Sequence, residues 1–470
     1  MHLLIKELQS YRRNKFLLCV LFAMEALLIF SLFNSYFIHH KNLESTIEAQ
    51  GKQRKEWLSQ GEKHPHMAAH FGYFAYKPVS VLSFFDPGVN AYTGTYNYLE
   101  AHRQNDLQFS PVQDSGATVR FGELSVSMLL QIVLPLLIIF MGYSSVNQER
   151  SSGILKFAIS QGASMRGIVY SKIFSLFISV VILLLPVFLA MLIFLFLESS
   201  FRLDALMRWG GLMLSYGLYA LIIACITVIV SALNSNRMVS MIILLSIWMG
   251  AVVLSPKMIT NWADLSYPLP SQHSFNQEVR ESIKQGINGH NDKGERAQKL
   301  KAELLKKHNV DSVHKLPFNF QGYVMQAGEE YSSKVYDHHF HFLEAQLDKQ
   351  DKMGSSASLA NPFVALRNLS MAFSATDVDA HFSFQRYAEN YRRDFVKQMN
   401  QDMMYSSTYG DWEYKAGHHL WEKLPAFEYQ SLDMFSILKA RHLELLSLLI
   451  WTLILVGSVF ALSSYFKILS

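Results

Sequence analysis

Apolar residues gather in six runs, at 16–38, 124–144, 173–197, 211–233, 238–254 and 443–466, and polar intervals of very unequal length separate them. Each run approaches or reaches the roughly 17–25 residues that an α-helix needs to cross a bilayer. The pattern predicts an all-α membrane protein with six transmembrane helices. Pro135 and Pro186 fall inside the second and third runs, where neighbouring helices can satisfy the carbonyl each leaves free. Gly211, Ser215, Gly217, Ala220 and Ala224 give the fourth run a set of small residues suited to close helix packing.

The polar intervals differ in kind. Residues 1–15 place Leu4, Ile5 and Leu8 at helical spacing among Lys6, Arg12, Arg13 and Lys15, which suits a short helix lying in the membrane interface. Residues 39–123 carry the turn signals Lys77-Pro78, Asp86-Pro87-Gly88 and Tyr92-Thr93-Gly94, and read as a small insertion of mixed structure. The charged interval 145–172 links runs two and three, 198–210 is a short loop with Trp209 at belt height, and 234–237 is a tight turn. Residues 255–442 form the largest insertion. Helix-compatible spacing at 272–285, 293–308, 322–349, 359–373 and 382–404 predicts a mainly helical domain, before the sixth run and a tail at 467–470.

Composition supports an integral membrane protein, since half the 470 residues are hydrophobic and the charges crowd into the intervals. A formal net charge of +4 shared between polar regions gives no reason to expect a nucleic-acid partner. Cys19 and Cys225 both lie in apolar runs, so the insertions hold neither disulfides nor thiolate metal sites. No cleavable signal peptide is evident, and the first run reads as a retained helix. Lys6, Arg12, Arg13, Lys15, Arg150, Lys156, Arg166, Lys172, Arg237 and Lys467 fall on one side of the membrane, against Arg202 and Arg208 in the only short loop on the other. That asymmetry predicts cytoplasmic termini, a cytoplasmic 145–172 interval and two external insertions.

Candidate chemistry is sparse. Glu25 and Asn34 are costly in lipid and mark either interhelical hydrogen bonding or a polar path. His66 and His70 stand four residues apart with His64 beside them, and His338, His339 and His341 form a second group; such spacing can ligate Zn²⁺ or Cu²⁺. No Glu follows His66, so a hydrolytic zinc site lacks its base. His418-His419 is a weaker case, and solvated or hydrogen-bonded surface is the plainer reading of all of them. Asp377 and Asp379, near His381, read as a helix start. Neither a Gly-x-x-x-x-Gly-Lys-Ser/Thr phosphate loop nor Gly-x-Ser-x-Gly occurs; the glycines between 286 and 294 lack the spacing. The chain is therefore expected to be non-catalytic, with no cofactor of its own.

The interval Glu149-Arg150-Ser151-Ser152-Gly153-Ile154-Leu155 resembles the Glu-Arg-x-x-Gly-Thr-Leu pattern of ABC-2 type exporter permeases, with Ile154 in place of Thr. Further stretches are similar to the bacterial permeases of the DUF3526 family: Trp57-Leu58-Ser59-Gln60-Gly61, His64 to Gly72, Phe85-Asp86-Pro87-Gly88, Leu99 to Asn105, Arg120-Phe121-Gly122-Glu123-Leu124, Asn361-Pro362-Phe363, Leu369-Ser370-Met371 and Ala388 to Arg393. The resemblance covers most of the chain. It implies a type V exporter-like permease in the bacterial inner membrane, working with ABC ATPase subunits that bind ATP and Mg²⁺ and with a second permease copy or a sister permease. It makes Glu149, Arg150, Gly153, Leu155 and Lys156 the expected contacts to the ATPase. Two alternatives accompany export: ATP-driven motion passed to a periplasmic or envelope partner without transport, and a His-based metal-binding membrane protein.

Overall fold

The computed structural model describes residues 2–105, 107–108, 124–198, 202–286 and 294–469, with side chains as far as Ala461; residues 120–123 of the resemblance lie outside this set. Six of the described helices are long and apolar enough to span a membrane. The chain opens with α1 (His2–Arg13), after which the Asn14 side chain accepts from the Leu17 amide at 3.1 Å and starts α2 (Lys15–Leu58). This helix has 44 residues, about 66 Å of rise, and does not stop where its apolar run stops at residue 38. From 39 to 58 the sequence turns polar but consists largely of Glu, Lys, Gln and other tolerant helix formers, without proline. The solvent around the helix changes there while its backbone continues.

The first insertion then contributes α3 (Pro65–Phe71) and an antiparallel pair, β1 (Tyr73–Tyr76) with β2 (Tyr96–Leu99), in register Tyr73 to Leu99. The second span runs from α4 (Val126–Met128) through a π turn at Leu129–Val133 into α5 (Leu134–Gly142). Two short helices, α6 (Asn147–Ser151) and α7 (Ile154–Ser160), lead to the third and fourth spans, α8 (Met165–Leu197) and α9 (Leu203–Leu233). The fifth span joins α10 (Arg237–Trp248), a π turn at Met249–Leu254, and α11 (Ser255–Ser266). Sequence reading closes this span at Ser255-Pro256, yet the helix continues through both. In the widened π ladder a donor at position 256 would reach Ala251; Pro256 has none, and the Asn361 side chain takes the Ala251 carbonyl instead at 2.8 Å. At the other π turn Trp248 Nε1 donates to the Ile132 carbonyl at 3.1 Å.

The second insertion comprises α12 (Gln272–Lys284), α13 (Glu295–His308), α14 (Phe320–Ser358), α15 (Pro362–Phe373), α16 (Val378–Ser406), α17 (His418–Lys423) and α18 (Met434–Ala440), and α19 (His442–Leu469) forms the last span. It is mainly helical but not separate from the membrane domain. Phe363, Leu366, Leu369 and Phe373 of α15 share one apolar core with the spans, as do Leu82, Phe84 and Phe85 of the first insertion. A second core joins the two insertions around Trp57, Phe395 and Trp421, with the Trp57 indole donating to the Trp421 carbonyl at 2.9 Å.

Candidate functional site

The interval between α5 and α8 is built on a folded base. Gly142 lets α5 approach its neighbours: a Cβ there would lie 2.7 Å from Leu176 and Thr227 side-chain carbons. Beyond it the Val146 amide donates to Ser231 Oγ at 3.1 Å, and Asn147 Nδ2 donates to Ser240 Oγ at 3.0 Å. Arg150 Nη2 donates to the Ala232 carbonyl at 2.7 Å, at the end of α9. Lys172, 1% exposed, lies 2.7 Å from Glu149 and 2.8 Å from Glu7, so one ammonium ties the interval to α8 and to α1. Gly153 then turns the chain at φ +78°, which an L side chain resists, and starts α7 at right of way to solvent, with open space at the Cβ position.

The five residues expected to touch an ATPase therefore divide. Glu149, Arg150 and Leu155 are committed inward, Leu155 being 1% exposed, whereas Gly153 and Lys156 lie on the surface. Sequence reasoning missed the side chains that project most: Ile154 is 56% and Phe157 68% exposed, with exposed Ser151, Ser152, Ser160 and Gln161 around them. The available signal was an apolar pair three residues apart inside a polar interval, which a helix places on one face.

Away from this interval, a buried polar junction joins both insertions to the spans. Asp86 Oδ2 accepts from Ser370 Oγ of α15 and, at 3.4 Å, from Gln131 Nε2 of the second span; Tyr216 of α9 bonds Gln131 and Ser370 at 2.9 Å each. Burial pushes the Asp86 carboxyl above its ordinary range, opposed by Ser370 and the Gly88 amide. Gly88, at φ +50°, lets the turn close on α16's lead-in: a Cβ would sit 2.4 Å from the Thr376 carbonyl oxygen. Four residues spread from 86 to 370 make this junction, and no local spacing announces it.

Glu25 is half-buried and its oxygens have no hydrogen-bond partner among the described residues, while Asn34 is exposed. Nine residues at about 100° each put them on opposite faces of α2, so they do not line one path. Asp377 caps α16 through the Ala380 amide at 3.0 Å, and together with Asp351 and Asp379 it pairs with Arg441. Arg208, read from sequence as a loop charge, is buried in α9 and bonded to Asp204 at 2.6 Å and to the Leu432 carbonyl.

The histidines also rearrange. His66 and His70 on α3 come together with His102, which follows β2, and their candidate ligand atoms lie within 4.8 Å of one another. His64 is the N-cap of α3, accepting from the His66 amide at 3.2 Å, and does not join them. His338 and His341 lie on α14 and are not part of that group either; His341 faces Glu344 at 3.9 Å, and His339 contacts Ser282 Oγ at 3.1 Å. His102 was missed because it is far from α3 in sequence and is brought back by a turn at φ +66°.

Two known families match parts of this architecture. Residues 106–250 match the family described as ABC-2 family transporter protein, and residues 273–430 match the domain of unknown function DUF3526. No curated protein and no solved structure matches the chain. Permeases of the ABC-2 family are typically non-catalytic and generally pair with ATPase subunits. The chain is a multi-pass membrane protein, an ABC-2 family transporter permease whose membrane domain is joined to a DUF3526 domain.

Proposed function

We propose that this chain is the membrane-spanning subunit of an exporter driven by a separate ATPase, which docks on the surface made by Ile154, Lys156 and Phe157. The observation that carries the proposal is the contrast within 147–160: Glu149 and Arg150 are fixed inward while Ile154 and Phe157, two large apolar side chains, project outward beside Lys156. Apolar groups so exposed, rimmed by polar ones, mark a site of association. The sequence carries no phosphate-loop spacing, which supports nucleotide turnover in a separate subunit. The positive charges flanking this end support a cytoplasmic placement, with both insertions external and the protein in the bacterial inner membrane as one of two permease copies or sister permeases. ATP-driven closure of two ATPases pushes on α6 and α7, and Lys172 passes that push to α8 and α1. A photo-crosslinker in place of Phe157 should capture the ATPase, and one in place of the buried Leu155 should not; equal capture at both positions contradicts the docking face.

A second reading, motion delivered to an envelope partner without transport, is favoured by the unbroken α2. This single helix joins the base of the protein to Trp421 in the second insertion. A partner crosslinked to 257–442 only during ATP turnover, with no cargo accumulating in inside-out vesicles, would favour it over export.

A further inference from the structure

The His66, His70 and His102 cluster lies outside the machinery assigned above, and its geometry is specific. In the sequence His66 and His70 form an i, i+4 pair with His64 beside it, but the fold uses His64 as the N-cap of α3, which leaves two ligands. The fold adds the third. His66 Nε2 and His70 Nε2 are 3.2 Å apart, and the candidate ligand atoms of all three residues lie within 4.8 Å of one another. Nitrogens bound to one tetrahedral Zn²⁺ at about 2.0–2.1 Å stand about 3.3 Å from each other. The His66–His70 separation already meets that spacing, and the third ligand needs to move in by at most about 1.5 Å.

The surroundings fit as well. His102 Nδ1 is 2.6 Å from Glu329 Oε1, which also accepts the His102 backbone amide at 2.6 Å. A carboxylate on Nδ1 holds the proton there and leaves Nε2 to bind metal, an arrangement common behind metal-bound histidines. Glu329 is itself fixed by Arg392 at 3.2 Å, and Arg392 is 2% exposed. The carboxylate is thus occupied as an orienting group. Three imidazoles favour Zn²⁺, Cu²⁺ or Ni²⁺ over Mg²⁺ or Ca²⁺. His66 is buried, whereas His70 and His102 are half-buried.

We propose that His66, His70 and His102 bind one divalent transition-metal ion, Zn²⁺ being the closest fit, and that the ion clamps α3 to the turn after β2 and, through Glu329, to α14. The clamp joins the first insertion to the second at a place independent of the ATPase-docking surface. Binding to the folded lobe raises its stability by mass action.

The test uses the full-length protein in detergent, purified through a tag without histidine, dialysed against chelator and titrated with Zn²⁺ alone. One Zn²⁺ per chain is expected, together with a rise in melting temperature. His102→Gln and His70→Gln should each abolish both effects while melting like the metal-free parent, which separates a lost ligand from a lost fold. Glu329→Gln should weaken binding about 10- to 100-fold. His338→Gln and His341→Gln should change neither stoichiometry nor melting. Undiminished Zn²⁺ binding in His102→Gln and His70→Gln, equal loss in His338→Gln, or no bound Zn²⁺ in the parent overturns the proposal.

Discussion

The Lys172 ammonium lies 2.7 Å from the Glu149 carboxylate at a position where Lys172 is 1% exposed, and Glu7 completes the group at 2.8 Å. One buried cation thus holds two carboxylates from different helices. Lys172→Met keeps the length and removes the charge, leaving Glu7 and Glu149 facing each other. It should lower stability by about 3 kcal/mol, the low end for a broken buried pair because both carboxylates keep some solvent. Thermal unfolding in detergent measures this. Adding Glu7→Gln and Glu149→Gln to Lys172→Met should recover most of the loss; a triple variant as unstable as the single one contradicts the assignment.

Asp86 sits in the junction with Ser370, Gln131 and Tyr216, and burial raises its pKa. Asp86→Asn retains the shape and most hydrogen bonds, and is expected to cost less than about 1 kcal/mol. Asp86→Ala strands its buried partners and should cost about 2–4 kcal/mol. Melting temperatures should rank the variants in that order.

Gly88 and Gly153 both have positive φ but differ in their surroundings. Gly88→Ala drives a methyl into the Thr376 carbonyl, whereas Gly153→Ala meets open space. The first should lose about 2–4 kcal/mol and loosen the contact between the insertions, and the second about 1 kcal/mol from backbone strain alone. Limited proteolysis between residues 77 and 95 should accelerate only in Gly88→Ala.

His381 is lowered from an ordinary 6.5 to about 4, first by burial and then by the nearby Lys77 charge. Between those values the unfolded chain holds more protons than the folded one, so stability falls as pH drops through the window. From pH 6.5 to 5 the loss is about 1.6 kcal/mol. Melting curves should show a smaller drop over this range for His381→Gln than for the parent, and no difference in slope between pH 7 and 8.

The six spans were legible because lipid demands about 20 apolar residues in each. Where the helices end was less legible. Hydropathy reports what surrounds a helix, so α2 passes residue 38 and α10 passes Pro256 by way of a π turn. The Glu149-Arg150 motif located the interval between α5 and α8 but not the direction its side chains take. Charges beside a membrane core must be paired, and here Lys172 and the Ala232 carbonyl claim them, leaving Ile154 and Phe157 at the surface. The Asp86 junction and His102 were invisible for a different reason: their partners are distant in sequence and only the fold brings them together.

The proposed function requires that a separate ATPase grip the apolar face of α7. Its most direct measurement is the amount of ATPase that co-purifies with the permease from detergent when Phe157 is changed to Asp in a protein that still melts at the parental temperature. Loss of most of the ATPase from Phe157→Asp is expected, with retention on the parent. An undiminished, stoichiometric ATPase on Phe157→Asp would contradict it.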